Sequence, residues 1–146
     1  MFSNLLKTLL GPEPKDLTPN DARLAIAALL VRVAQSDNNY ATTEIKKIER
    51  VLAERYDLDE AQGINLRRQG EALEKEAPDT VRFTRAIKDA VAYPDRLSVI
   101  ESLWKIALAD GERDIEEDAL MRLVANLLGI SDVESASARK RVAGSS

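Results

Sequence analysis

Apolar positions along this chain recur at helical spacing almost throughout. Phe2, Leu5, Leu6, Leu9 and Leu10 form one stripe, and the run 11–14, with two prolines, ends it. Thr18, Pro19 and Asp21 read as N-cap, N1 proline and acidic N3. The helix they open runs to about Gln35, with Leu24, Ala27, Ala28, Val31 and Ala34 as a close-packing face widened by Leu30. A second helix starts near Thr42 and carries Ile45, Ile48, Val51, Leu52 and Tyr56. Asp57 suits the left-handed residue that ends it, with Leu58 packing back.

Asp59 and Gln62 have capping-box spacing for a third helix, the most polar one. Gly63 and Gly70 lie inside it, each costing up to about 1 kcal/mol relative to Ala. Pro78 ends it and Asp79 caps the next, where Val81, Ala86, Ile87, Ala90 and Val91 are the expected core face, with Phe83 beside them. Tyr93 and Pro94 start another helix, whose face is Leu97, Ile100, Leu103, Trp104, Ala107 and Leu108. Leu120, Leu123, Val124, Leu127 and Leu128 make the next, closed by Gly129 and Ile130 in Schellman order. Ser131 and Glu134 form a further capping box, and residues 144–146 read as a disordered tail. No window alternates with period two. The expectation is a single all-α domain of about seven to eight helices, residues 15–143, preceded by a short amphipathic helix and Pro-rich linker at 1–14.

The pattern also repeats. Asp37 and Asp110 are 73 residues apart, as are Glu44 and Glu117; farther on, Leu58 and Asp59 match Ile130 and Ser131 at an offset of 72. Two pseudo-symmetric helix-hairpin halves are therefore expected.

The chain has 146 residues, about one domain's worth. It contains no Cys and no His, which excludes a thiol nucleophile, an imidazole-based triad and the usual structural zinc site. A net charge of −4 argues against a non-specific nucleic-acid binder. No apolar run approaches membrane-spanning length and residues 1–10 do not read as a secretory signal, so a cytoplasmic location is the default expectation. The stripe at residues 2–10 must dock on something, either its own domain, a second copy or a partner groove. Peripheral membrane association would be weak, with Lys7 its only base. Trp104 reads as a packing anchor, Tyr40 is open, and residues 139–141 read as a basic helix end that complements the dipole.

Candidate chemistry concentrates in residues 109–118, which hold six carboxylates against one arginine. Asp114, Glu116, Glu117 and Asp118 complement the N-terminal end of the following helix. Asp110 and Glu112 do not, because Asp110 follows a helix C-terminus, where negative charge is unfavourable; Asp37 sits in the same place upstream. Carboxylates beside free helix-end carbonyls are what a hard cation takes, and with oxygen donors alone the ion would be Ca²⁺, Mg²⁺ or Mn²⁺. Asp110, Glu112 and Asp114 match positions 1, 3 and 5 of an EF-hand, but Ile115 and Met121 stand where that loop needs Gly and Glu. In the upstream turn Asp37, Asn38, Asn39 and Glu44 offer oxygens, while Ala41 stands where the second turn has Asp114.

At residues 109–112, 114–117 and 127–131 the chain resembles the tellurite-resistance TerB family, in particular its stand-alone bacterial members. These share an A-D-G-E-x-D-x-E-E turn, often with a degenerate upstream copy. The resemblance spans roughly residues 20–135. It implies an all-α fold of about seven helices in two halves, and a divalent-metal role for Asp110, Glu112, Asp114 and Glu117 with Asp37 and Glu44. It also implies links to tellurite resistance, stress response and membrane-associated assemblies, without a settled enzymatic activity. Three functions are thus in play: a non-enzymatic, cation-responsive interaction module; a plain helical adaptor or homodimer with a solvated acidic face; and, least favoured, a metal-assisted hydrolase.

Overall fold

The computed structural model describes residues 19–36, 40, 42–76, 80–108 and 115–144. Among them are seven helices and no strand: α1 (Pro19–Ala34), α2 (Thr42–Tyr56), α3 (Glu60–Glu76), α4 (Thr80–Ala90), α5 (Tyr93–Ala107), α6 (Ile115–Leu127) and α7 (Asp132–Gly144). The stripe at 2–10, the Thr18 and Asp79 caps and Pro78 lie outside the described residues. The last helix includes Gly144, one residue into the expected tail.

The bundle is built around α1. Its expected single face understates it, because Ala25, Ile26, Leu29 and Val33 are as buried as Ala27, Leu30 and Val31. A helix that is apolar all round belongs in the middle of a bundle, and α1 touches α2, α3, α4, α5 and α6. Its one described charge beyond Arg23 is Arg32. That side chain leaves the core at the end of α1, donates from Nη2 to the Glu74 carbonyl, pairs through Nε with the Glu74 carboxylate at 3.3 Å, and donates to Thr80 Oγ1 at 3.2 Å. One arginine thereby fastens the end of α1 to the end of α3 and the start of α4.

The glycines of α3 are sites of close approach. A Cβ on Gly70 would stand 2.9 Å from the Ala27 carbonyl carbon, and one on Gly63 3.2 Å from the Glu49 carbonyl oxygen. The propensity lost at these two positions lets α3 lie against α1 and α2 backbone to backbone.

Helix ends follow the local chemistry closely. Asp57 takes φ 54° and Gly129 φ 77°, and in each turn the next amide reaches back five residues, Leu58 to Ala53 at 2.9 Å and Ile130 to Ala125 at 2.8 Å. Both turns lead into a capping box. Asp59 and Gln62 exchange bonds of 2.8 and 3.0 Å, and the Glu134 amide donates to Ser131 Oγ at 3.2 Å. Helix pairings also recur: α1 packs on α2 and α3, which touch each other, and α5 packs on α6 and α7, which do the same.

Three expected core positions face water. Val81 on α4 is 52% exposed and Leu123 on α6 is 46% exposed, whereas Met121 and Ala125 are fully buried. On α6 the buried stripe is rotated from the expected one, running through Met121, Val124, Ala125 and Leu128, because α6 meets α1, α4, α5 and α7 from that side. Ala90 is also exposed, and the side chains of Phe83 and Ala86 lie outside the described residues. Helix α5 is broader than its predicted face, with Val99 and Ile106 buried too. Trp104 is the anchor expected of it: its Nε1 donates to buried Ser135 at 3.1 Å. The basic run at 139–141 is used laterally. Arg139 lies 5.5 Å from the Trp104 ring centroid and Arg141 pairs with Glu101 at 2.8 Å.

Candidate functional site

Of the six candidate metal ligands, Asp37, Asp110, Glu112 and Asp114 lie outside the described residues, and of Glu117 only the helical backbone is described. Among the described residues no three carboxylates converge closely enough to hold an ion. Glu44 is the candidate whose surroundings are visible.

Glu44 is 3% exposed, in the first turn of α2. Negative charge there complements the helix N-terminus. A carboxylate that served the dipole alone could do so from the surface. This one is carried inward by the face it shares with Ile48, Val51 and Leu52, all buried.

Farther along α2 lies a polar network that the sequence reading missed. Arg67 on α3 pairs with Glu49 of α2 at 2.9 Å and with Glu71, one turn along its own helix, at 2.7 Å. All three side chains are mostly buried. Burial alone would lower the Arg67 pKa, but the hydrogen bonds it donates to Glu49 and Glu71 outweigh it, and the net shift is upward. The Arg67–Glu71 half could have been read from its i,i+4 spacing; the Glu49 half depends on the α2–α3 crossing at Gly63. Tyr40, just before α2, packs on the core with its hydroxyl buried against Glu71. Burial first, and then Glu71, push its pKa above the ordinary tyrosine value. Tyr40 thus braces the chain ahead of α2 against α3.

With this geometry in place, the comparison with known families is decisive. The model of the family described as Tellurite resistance protein TerB matches residues 23–140. The chain belongs to the TerB family. The match runs from within α1 to within α7, so the helical bundle as a whole is the TerB domain. No curated protein and no solved structure matches the chain. Among the described residues of this TerB-family protein, no helix is long and apolar enough to cross a membrane.

Proposed function

We propose that this TerB-family protein is a non-enzymatic helical interaction module whose acidic turns take up a divalent cation. The observation that supports this most is the gathering of six carboxylates within residues 109–118 of a chain that belongs to the TerB family. Carboxylates gathered this densely along the chain repel one another unless positive charge is set among them, and a cation supplies that charge. The available donors are oxygens, which fit Ca²⁺, Mg²⁺ or Mn²⁺. The residues that would hold the ion are Asp110, Glu112, Asp114 and Glu117, with Asp37 and Glu44. What the ion would supply is neutralisation of the clustered carboxylates, and so a change in the surface offered to a partner. That partner is a protein or a second copy of the chain, engaged through the apolar stripe at residues 2–10. The family name makes a stress or tellurite response the biological setting to test.

The test is isothermal titration of Ca²⁺, Mg²⁺ and Mn²⁺ into metal-free protein, with Asp110→Asn and Glu44→Gln in parallel. Saturable binding that weakens in both variants is expected. No heat and no change in melting temperature with any ion would reduce the acids to helix capping and leave a plain helical adaptor or homodimer. Deletion of residues 2–10, followed by light scattering, then reads whether that stripe governs association.

A further inference from the structure

The last turns of α2 and the length of α5 from Asp95 to Lys105 line an open groove of about 370 Å³. It lies roughly 15 Å along α2 from Glu44, at 1.5 Å per residue. Val51 and Ser102 are its buried floor. Its walls carry two acids, Glu54 and Asp95, and two bases, Arg55 and Lys105. Among the described residues none of these four forms an ion pair, with one another or with anything else. Arg55 is held all the same: Nη1 donates to Ser98 Oγ at 2.6 Å and Nε to the Tyr56 hydroxyl at 3.2 Å. Its Nη2 has no described acceptor. Arg23, over the same Tyr56 ring at 4.5 Å, adds positive charge alongside.

We propose that this groove binds a small zwitterion of amino-acid or dipeptide size. Arg55 is oriented before any ligand arrives, and a guanidinium with a free edge suits a carboxylate. The Ser98 hydroxyl and, farther along α5, Lys105 supply further donors. Glu54 and Asp95 receive the ammonium. A simple anion of the same size would face both carboxylates, and a simple cation both bases; only a ligand carrying both charges satisfies the four together. The polar stripe of Asp95, Ser98, Ser102 and Lys105 along one face of α5 is therefore binding surface where the bundle could have packed apolar side chains. The volume is at the lower end of the range for small-molecule sites, roughly 300–1,000 Å³.

The experiment is titration of the ¹⁵N-labelled full chain with L-alanyl-L-alanine, followed by amide shifts. Saturable shifts confined to residues 51–56 and 95–105 are expected. N-acetyl-L-alanyl-L-alanine amide, which lacks both charges, should give none that saturate. Arg55→Gln and Asp95→Asn should each weaken binding by about tenfold, the scale of one lost charge-assisted hydrogen bond, with the remaining cross-peaks in place. Absence of saturation with the free dipeptide overturns the proposal, as does equal binding of the blocked peptide or unchanged affinity in both variants.

Discussion

Gly70 lies so close to Ala27 that a methyl group on residue 70 would meet three Ala27 atoms, its carbonyl carbon, Cβ and carbonyl oxygen, within 2.9–3.1 Å. Two of these are backbone atoms of the central helix and cannot swing away. Gly70→Ala should therefore destabilise the protein by about 1–3 kcal/mol, the usual cost of overpacking, even though alanine is the better helix former by about 1 kcal/mol. Urea unfolding measures it. Gly63→Ala meets the Glu49 carbonyl at 3.2 Å and should cost clearly less. A neutral or stabilising Gly70→Ala would mean that α1 and α3 can separate freely.

The two matched helix ends make opposite predictions. Gly129 sits at φ 77°, so Gly129→Ala should lose about 1–2 kcal/mol to left-handed strain. Asp57 occupies the same kind of position at φ 54° with a side chain, so Asp57→Gly should gain up to about 1 kcal/mol. Melting temperatures of the two variants should move in opposite directions from the parent.

Removing the guanidinium of Arg67 leaves Glu49 and Glu71 facing each other, mostly buried, without a counter-charge. Arg67→Met keeps much of the apolar stem and should still cost about 1–3 kcal/mol, less than a fully buried pair because all three groups keep some water. The double variant with Glu49→Gln should recover part of the loss, which a double-mutant cycle reads directly. Full additivity would show that the pair does not couple.

Tyr40 gives a pH signature. Its pKa is raised in the folded state, so the folded protein holds the phenolic proton more tightly than the unfolded chain. The stabilisation is complete below the unfolded tyrosine pKa of about 10 and declines as pH rises past it. Stability of the parent should fall more steeply between pH 9 and 11 than that of Tyr40→Phe. Parallel curves for the two proteins would place the hydroxyl in water rather than against Glu71.

Much of this protein was determined by residues within a few positions of one another. The capping boxes at Asp59 and Ser131, the left-handed turns at Asp57 and Gly129 and the proline start of α5 all formed as their spacing predicted, because each is closed by bonds spanning three to five residues. Tertiary structure alone decided what depended on neighbours. Periodicity describes one apolar face, but α1 is enclosed on every side, so its whole circumference became core. It also cannot say that Val81 and Leu123 would lie where no helix covers them, since a face is buried only if something packs on it. Gly70 looked like a weakness in α3 until Ala27 was placed against it. Glu49 and Arg67, eighteen residues apart, became partners only where α2 and α3 cross, and the burial of Glu44 follows from the docking of α2 on the bundle.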